Sequence, residues 1–435
     1  MNTEEQLISL GKNIRKDFPF FQNNPNTVYL DTAATSLVPK DVIENIVLYY
    51  EKYGANVHRG VYKASAEASE IYENTRKKVR DFVSAPSDVE VIFTKNTTES
   101  LNLLAHSLSS AKSELNEFFS GWNDGLKKDD VILLSESEHH SNIVPWQIVS
   151  EKTGASLEYI PVIKESGALD LAAFENMKNR LEGRPVKIIS LAHVSNVTGI
   201  VYDLTAFSQF AKEKGAIFIT DGAQSVCHQK LNFTELGCDF FAFSAHKMAG
   251  PKGIGVLLGK KEILKQMPPF CGGGDMILEV EKAGSTYNEP PYKFEAGTPN
   301  VGGVFGLSSA IDYLNKIGMN NIAAWENKLT LYAMKKLSAI NVQFFGPSAA
   351  DIASEKFKKV GVVSFGLEGI HPHDVGTMAD EYDVCIRVGH HCCQLLMKAW
   401  KVSATCRASF YLYNDFEDID RLTDALEKTR QFFRR

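Results

Sequence analysis

The chain has 435 residues, of which 44% are hydrophobic and 23% are charged, a composition typical of a globular protein long enough for two domains. Its formal net charge of -6 argues against nucleic acid as the main partner. Seven cysteines without a CxxC pair favour reduced thiols in the cytoplasm over a disulfide scaffold. The N-terminus lacks the pattern of a signal peptide, and no apolar run reaches the ~18 residues of a membrane span, so we expect neither.

The first part of the chain predicts short elements followed by a long helix. A short helix is predicted within residues 1–20 and a strand over 27–31. A helix over 39–53 follows, because Pro39 suits a first helical turn, and a long charged helix is predicted over 65–84.

Between residues 89 and 258, a strand, an end loop and a helix repeat along the chain. The predicted strands cover 89–93, 131–134, 156–163, 186–191, 216–221 and 238–243. The predicted helices begin near residue 99 and cover 170–182 and about 203–214. This alternation favours a mostly parallel sheet with helices on both faces. The polar and weakly periodic residues 109–130 are expected to form a surface excursion.

Beyond residue 260 the pattern changes to long helices and glycine-rich loops. The predicted elements are helices over 303–317 and 321–338, a strand over 360–365, a helix over 373–381 and a C-terminal helix from about Asp415. We interpret this part as a smaller α+β domain that packs with the N-terminal helix. The predicted domains are therefore 21–300, and 1–20 together with 301–435.

Residues of functional type follow several of the predicted strands. They are Thr97, His139, Asn196, Asp221 and Lys247. Because ligands of open α/β sheets bind beyond the carboxyl ends of the strands, we expect these residues to share one site. Thr97 and Thr98 begin a helix, where they could either cap it or help to bind an anion such as phosphate. The sequence leaves these two interpretations open.

Lys247 and Asp221 give the clearest chemical indication. Most lysines are surface charges, but Lys247 follows a buried strand and precedes a glycine-rich segment that a ligand can approach closely. A lysine amine can form an imine with the aldehyde of pyridoxal 5'-phosphate (PLP), and a carboxylate can keep the pyridine nitrogen protonated. The pair therefore predicts a PLP site.

Several short stretches carry a resemblance to a known family. They include Val57-His58-Arg59-Gly60, Glu138-His139-His140, His193-Val194-Ser195-Asn196, Asp221-Gly222-Ala223-Gln224, Ser244-Ala245-His246-Lys247, residues 294–300 and residues 387–392. Taken in this order, they resemble the class V aminotransferase group of fold-type I PLP enzymes, and more closely the SUF-type (group II) cysteine desulfurases and selenocysteine lyases. The resemblance implies an α/β fold whose large domain has a mainly parallel seven-stranded sheet flanked by helices, beside a smaller α+β domain.

The resemblance also implies roles for residues at the cofactor. Lys247 would bind PLP covalently and move protons at the substrate α-carbon, while Asp221 would pair with the pyridinium nitrogen. Gln224 would hydrogen-bond the ring oxygen and His139 would stack on the ring, whereas His140 is predicted to be an ordinary surface histidine. The residues implied to bind the phosphate are Thr97, Thr98, Ser244, His246 and, reaching across to a partner subunit, Thr298. The last assignment implies a homodimer.

The implied substrate site contains two arginines. Arg407, helped by Asn196, would clamp the substrate carboxylate, because a guanidinium can bind it with two hydrogen bonds. Arg387 and His58 complete the implied set of substrate-binding residues.

Cys392 separates a desulfurase from a transaminase. Two histidines and Arg387 precede it, a basic setting that favours a thiolate able to take the substrate sulfur as a persulfide. A buried inert cysteine and a metal site within residues 390–393 are alternatives, although adjacent residues rarely bind one ion and we assign no metal. The sequence departs from the family pattern at Cys393, a second thiol of unknown role, and at Leu395, where proline is common.

The resemblance therefore predicts a cytoplasmic L-cysteine desulfurase that forms L-alanine and passes sulfur to an acceptor protein of iron–sulfur cluster assembly. A selenocysteine lyase is an alternative with overlapping motifs. A different PLP reaction in which Cys392 is incidental, or a binding module on a PLP-enzyme fold, are the others.

Overall fold

The computed structural model describes residues 10–110, 113–119, 122 and 125–434 of the chain. Its strands are β1 (Val28–Tyr29), β2 (Val89–Thr94), β3 (Val131–Ser135), β4 (Ser156–Ile160), β5 (Val186–Ala192), β6 (Ile217–Asp221), β7 (Phe240–Ser244), β8 (Gly255–Lys260), β9 (Ile277–Glu281), β10 (Gly284–Tyr287), β11 (Gln343–Phe344), β12 (Val362–Gly366), β13 (Val384–Cys385), β14 (Arg387–Gly389) and β15 (Thr405–Ser409). Its α-helices are α1 (Pro19–Asn23), α2 (Lys40–Leu48), α3 (Lys63–Phe82), α4 (Thr97–Ser109), α5 (Val144–Thr153), α6 (Leu171–Arg180), α7 (Thr205–Lys214), α8 (Ser225–His228), α9 (Phe233–Leu236), α10 (Lys261–Gln266), α11 (Val301–Ile317), α12 (Met319–Ala339), α13 (Ala349–Ala353), α14 (Pro372–Asp380), α15 (Gln394–Trp400) and α16 (Phe416–Phe433).

The central sheet has seven strands in the order β2-β8-β7-β6-β5-β3-β4. The strands from β4 across to β7 are parallel, whereas β8 is antiparallel to both β2 and β7. Every residue of β3, β5, β6 and β7 is buried, as expected for aliphatic and aromatic strands covered by helices on both faces. The predicted mainly parallel seven-stranded sheet is confirmed.

Alternate residues of the central strands point into two hydrophobic cores. In β3, Val131 and Leu133 lie in one core, whereas Ile132 and Leu134 lie in the other, as the two-residue period of a strand requires. Residues of α3, α6, α7 and α11 belong to the first core, and residues of α4 and α5 belong to the second. The sheet is thus covered on both faces, and its carboxyl edge is left for the end loops.

The segment over residues 109–130 is more than the surface excursion that its polar composition predicts. Leu115, Phe119, Trp122 and Leu126 are buried and belong to the second core, beside α4 and α5. The four positions have the spacing i, i+4, i+7 and i+11 of one helix face, but the many polar residues between them conceal this signal. The described residues of this segment therefore help to cover the sheet.

A second, smaller sheet has the order β11-β12-β15-β14 and packs with α12, α14 and α16. The N-terminal part of the chain lies beside it: β1 and β13 form a separate parallel pair, and Asp31 makes an isolated bridge to Ser409 of β15. The predicted boundary after residue 300 falls at the start of α11, which packs against α2 and α3. The division into 21–300 and 1–20 with 301–435 therefore stays a prediction.

No helix within the described ranges is long and apolar enough to cross a bilayer.

Candidate active site

A cavity of about 190 Å³ lies at the carboxyl edge of the central sheet. It is lined by residues that follow β2, β3, β5, β6 and β7. The predicted residues Thr97, His139, Asn196, Asp221 and Lys247 all line this cavity. The topology explains why. Because β2 is antiparallel to β8 and β8 is antiparallel to β7, β2 runs in the same direction as the parallel strands β4 to β7. Their end loops therefore meet at one edge.

Lys247 lies at the end of a short 3-10 turn, Ala245–Lys247, directly after β7. Burial lowers the pKa of its amine below the ordinary value, against the opposing effect of the Asp221 carboxylate. The amine of Lys247 therefore releases its proton more readily than that of a surface lysine does.

Asp221 is the last residue of β6, and Gln224 follows it directly before α8. The Ala223 backbone N–H donates to Asp221 Oδ1 at 2.9 Å, and burial raises the pKa of this carboxyl. Gln224 Nε2 donates to the Ala33 backbone oxygen at 2.8 Å, which fixes the side chain against the wall of the cavity. A buried carboxylate of this kind is stabilised by a cationic partner.

The start of α4 forms a polar cup. Asn96, rather than either threonine, caps the helix, because its side chain accepts the Glu99 backbone N–H at 2.9 Å. The backbone nitrogen and the hydroxyl oxygen of Thr97 each lie 2.7 Å from Ser244 Oγ, at the end of β7. With capping assigned to Asn96, Thr97, Thr98 and Ser244 line the cavity, and the Thr98 N–H is not among those that Asn96 or Ser244 accepts. This arrangement favours the anion-binding interpretation.

His139 forms another wall of the cavity, between β3 and α5. Burial, and next the charge of Lys247, lower the pKa of its ring to about 3, so the imidazole is neutral. Its Nδ1 atom accepts the Ser141 backbone N–H at 3.1 Å, and the Ser141 hydroxyl also contacts Thr98 Oγ1 at 2.7 Å. Ser141, which the sequence analysis missed, therefore joins the His139 loop to the anion cup.

Glu138, which the sequence analysis did not assign to the site, supports the loop that carries His139. Its carboxyl group accepts the Asn142 side-chain amide at 2.7 Å and the Ala192 backbone N–H at 2.9 Å, and the Ser135 hydroxyl lies at 2.6 Å. Burial raises the pKa of Glu138 to about 7. Its position directly before His139 is the one feature of the sequence that could have pointed to this supporting role.

Arg407 lies on β15 and is fully buried at the cavity wall. Its Nη2 donates to Asp31 Oδ1 at 2.9 Å and its Nη1 to the Asn196 backbone oxygen at 3.0 Å. Its Nε is buried and has no hydrogen-bond partner among the described residues. The Asn196 side chain donates instead to the His391 backbone oxygen at 2.7 Å. Asn196 therefore supports Arg407 through its backbone and the cysteine loop through its amide.

Cys392 lies on the loop between β14 and α15 and is partly exposed, so it is not the buried cysteine of the alternative interpretation; its reactivity stays a prediction. Its Sγ lies 3.6 Å from Arg387 Nη2, and Arg387 lines the cavity. His391 does not contribute to this basic setting, because its buried ring contacts Thr405 Oγ1 at 2.9 Å. The predicted basic neighbourhood is thus only partly present.

Cys393 differs sharply from Cys392. Its side chain is fully buried, and its Sγ donates to the Ser137 backbone oxygen at 3.4 Å. Burial raises the pKa of this thiol well above the usual range. A resolving role for Cys393 therefore has no geometric support.

Three predicted site residues are not among those that line this cavity: Cys392, which contacts the lining residue Arg387, and also Thr298 and His58. Thr298 lines a separate cavity of about 300 Å³ that also contains Lys95 and Glu99. His58 contacts Glu73 Oε1 through Nε2 at 2.9 Å, away from Lys247. Their roles stay predictions, and for Thr298 this position is consistent with the expected action in a partner subunit.

His140, His390 and Cys392 form a group whose possible ligand atoms lie within 4.8 Å of one another. His140 Nε2 accepts the Gln394 backbone N–H at 3.1 Å, and His390 Nδ1 accepts the Cys392 backbone N–H at 3.1 Å. A neutral imidazole that accepts through one nitrogen carries its proton on the other. The lone pairs are therefore already used, and we assign no metal to this group.

The comparison with known proteins agrees with this geometry. Residues 28–422 match the family described as aminotransferase class-V. The chain belongs to this family. A protein named probable cysteine desulfurase from Halalkalibacterium halodurans is 45% identical over 97% of the chain and 98% of its own length. Another with the same name, from Streptomyces coelicolor, is 44% identical over 97% of both chains.

Solved structures of the class-V aminotransferase family have the same fold. The apo cysteine desulfurase from Thermococcus onnurineus is 40% identical, with a TM-score of 0.86 over 96% of this chain and 98% of that one. The cysteine desulfurase CsdA from Escherichia coli is 33% identical, with a TM-score of 0.83 over 99% of both chains. The fold-type I assignment is therefore confirmed.

Class-V aminotransferases are PLP enzymes, and the cofactor of this chain is PLP. The residues at the cavity fit this group. Asp221 offers a buried carboxylate, Lys247 an amine with a lowered pKa, and α4 an anion cup. Gln224 Oε1 and Arg407 Nε are buried without a hydrogen-bond partner in the described part of the chain, as expected where a polar ligand completes the site.

Proposed function

We propose that the chain is a PLP-dependent L-cysteine desulfurase that transfers the sulfur of L-cysteine to Cys392. The observation that carries the proposal is the position of this thiol. Its Sγ is 3.6 Å from Arg387 Nη2, and Arg387 lines the same cavity as Lys247 and Asp221. A thiol beside a cation at the rim of a PLP cavity can attack the sulfur of a bound amino acid. The names of the relatives support the same reaction.

In this proposal, bound PLP withdraws electrons from the substrate α-carbon and weakens the bonds around it. Asp221 would hold a proton on the pyridine nitrogen, and Gln224 would hydrogen-bond the ring oxygen. His139 would stack on the cofactor as a neutral ring, because burial lowers its pKa to about 3. Thr97, Thr98, Ser244 and His246 would bind the phosphate, with Thr298 supplied by a second copy of the chain.

Lys247 and the two arginines act on the substrate. Lys247 binds the cofactor and moves a proton at the α-carbon, a task that suits an amine whose pKa is lowered by burial. Arg407 binds the carboxylate while Asp31 and the Asn196 backbone hold its guanidinium. Arg387, which lines the cavity and lies 3.6 Å from Cys392 Sγ, and His58 complete the proposed substrate-binding set.

The sulfur transfer balances without an added oxidant or reductant. The Cys392 thiolate attacks the substrate sulfur, an S–S bond forms and the C–S bond breaks. The electron pair of the C–S bond stays on the substrate carbon, which takes up a proton to give L-alanine. The products are therefore L-alanine and a persulfide on Cys392.

We also propose a homodimer that passes the persulfide sulfur to an acceptor protein of iron–sulfur cluster assembly in the cytoplasm. The position of Thr298 outside the cavity of its own chain supports the dimer. Partial exposure of Cys392 supports transfer to an acceptor, and seven unpaired cysteines suit a reducing compartment.

Mass spectrometry of the Cys392 peptide tests the function directly. Purified protein with PLP is incubated with L-cysteine, quenched with an alkylating agent and digested. We expect one additional sulfur on Cys392 and one alanine per sulfur released. Alanine production without sulfur on this peptide would refute the assignment of the nucleophile, and the absence of both would refute the desulfurase.

A further inference from the structure

His140, which the sequence analysis assigns to the surface, contacts the loop that carries Cys392. Its backbone N–H donates to the Cys392 backbone oxygen at 2.7 Å. Its ring Nε2 accepts the Gln394 backbone N–H at 3.1 Å. The ring also lies against His390, with centroids 5.4 Å apart. A single residue of the loop after β3 thus contacts the cysteine loop at His390, Cys392 and Gln394.

The backbone of this loop needs support. His391 and Cys392 have left-handed φ angles of 52° and 56°, which are unfavourable for residues with a side chain. Such conformations persist only where neighbouring groups hold them. Besides His140, the contacts from the large sheet are the Asn196 amide to the His391 oxygen and the Cys393 thiol to the Ser137 oxygen.

We propose that His140 is a positioning residue that keeps Cys392 beside Arg387, a residue of the cavity wall, through the bond from Gln394 N–H to its ring. The inference rests on the proposed function, because it matters only if Cys392 is the nucleophile. The ring acts as a neutral acceptor with its proton on Nδ1. Loss of the acceptor leaves the backbone bond to Cys392 in place but frees the start of α15, so the sulfur is no longer fixed relative to the substrate.

The test compares three variants of the PLP-loaded enzyme. His140→Ala removes the ring acceptor, and His140→Gln restores an acceptor oxygen at a similar distance from the backbone. His106→Ala removes an exposed histidine of α4 and serves as the control. We expect His140→Ala to lower the rate of persulfide formation on Cys392 by about tenfold or more, since a displacement of about 1 Å can cost a hundredfold.

Three further readouts separate positioning from a general structural defect. The KM for L-cysteine and the visible absorbance of bound PLP should not change in His140→Ala, because Arg407 and Lys247 are untouched. Amide hydrogen exchange of the peptide containing Gln394 should accelerate, with the rest of the chain unchanged. His140→Gln should recover most of the rate and of the protection.

Several results would overturn the inference. An unchanged persulfide rate or unchanged exchange in His140→Ala would do so, as would a His140→Gln variant no better than alanine. Loss of PLP from His140→Ala would assign the residue to the cofactor site instead. If the wild-type enzyme formed no persulfide on Cys392, the proposed function would fail first, and the exchange measurement alone would decide whether His140 holds the loop.

Discussion

The cofactor end and the nucleophile end of the proposed site are held in different ways. Lys247 follows β7, and Asp221 is the last residue of β6. Every residue of these two strands is buried within the central sheet. Cys392 lies on a partly exposed loop with a left-handed backbone, at the edge of the smaller sheet. The sheet topology fixes the first pair, whereas contacts between loops that are distant in sequence fix the thiol.

This difference has an energetic consequence. A strand residue in the sheet is held by ladder hydrogen bonds and by burial on both faces, so moving it requires disruption of the core. The cysteine loop is held by a few hydrogen bonds, each worth about 1 kcal/mol net. Substitutions at the two ends should therefore fail differently: the cofactor end by losing the cofactor, and the nucleophile end by losing sulfur transfer alone.

Lys247→Ala should have the largest effect. Without the amine there is no covalent attachment and no base at the α-carbon, so alanine formation should fall by roughly three orders of magnitude or more. The measurements are the visible absorbance of the cofactor and the rate of alanine release. The control is Lys252→Ala, an exposed lysine beyond the turn, which should keep both. A variant that still bound PLP covalently would contradict the assignment of Lys247.

Cys392→Ala should retain PLP, because the residues that line the cavity are unchanged. Its rate of desulfuration should fall by about a hundredfold or more, because the nucleophile is removed. Absorbance and sulfide release in the presence of a thiol reductant measure the two properties separately. This result would establish that the two ends can be uncoupled. Normal turnover in the variant would show that Cys392 is not the sulfur acceptor.

The matched substitution for that experiment is Cys393→Ala. The Cys393 thiol is buried against the Ser137 oxygen with a raised pKa, so sulfur transfer should not need it. We expect persulfide on Cys392 at a rate close to that of the wild type. Failure of Cys393→Ala to form this persulfide, with PLP still bound, would show that transfer needs the Cys393 thiol, as a reactant or as the contact to Ser137 that supports the loop.

Arg407→Lys tests the residue where the two ends meet. Arg407 lies on β15, yet it contacts Asn196 beyond β5 and Asp31 after β1. A lysine cannot make both contacts and also bind a carboxylate with two hydrogen bonds. The KM for L-cysteine should rise roughly tenfold to a hundredfold, because charged hydrogen bonds contribute about 1.5–3 kcal/mol each. A KM that stays unchanged in steady-state assays would remove Arg407 from substrate binding.

The cofactor end is largely predictable from the sequence, and the reason is physical. Strand ends in a parallel sheet converge on one edge, so the order of strands and helices along the chain is enough to place Thr97, His139, Asp221 and Lys247 together. What the sequence leaves open there is local. Only the geometry shows that Asn96 is the helix cap and that the threonines remain at the cavity.

The nucleophile end is predictable only in part. Resemblance locates Cys392, but a row of neighbouring residues does not reveal which way each side chain turns. His391 faces Thr405 instead of the thiol, and His140 approaches from a loop 254 residues before its partner Gln394. The buried apolar residues of 109–130 escape prediction for a different reason: their helical spacing is concealed by the polar composition of the segment.

Glu138→Gln should have the smallest effect, and it tests whether the loop after β3 belongs to the rigid end. Burial raises the pKa of Glu138 from its ordinary 4.5 to about 7. The folded state therefore binds the proton more tightly than the unfolded state, so this group contributes stability below about pH 4.5 that is lost as the pH rises through about 7. Glutamine has no proton to lose and can keep the contacts with Ser135, Asn142 and Ala192.

The variant should thus match the wild type at low pH and exceed it at high pH. We expect a difference in unfolding free energy near zero at about pH 4 and of roughly 1–3 kcal/mol at about pH 8, visible as a rise of a few degrees in Tm. Glu151→Gln, on the exposed side of α5, provides the control and should give no pH-dependent difference. A Glu138→Gln variant less stable than the wild type at both pH values would mean that the carboxylate itself, paired with its three donors, holds the His139 loop.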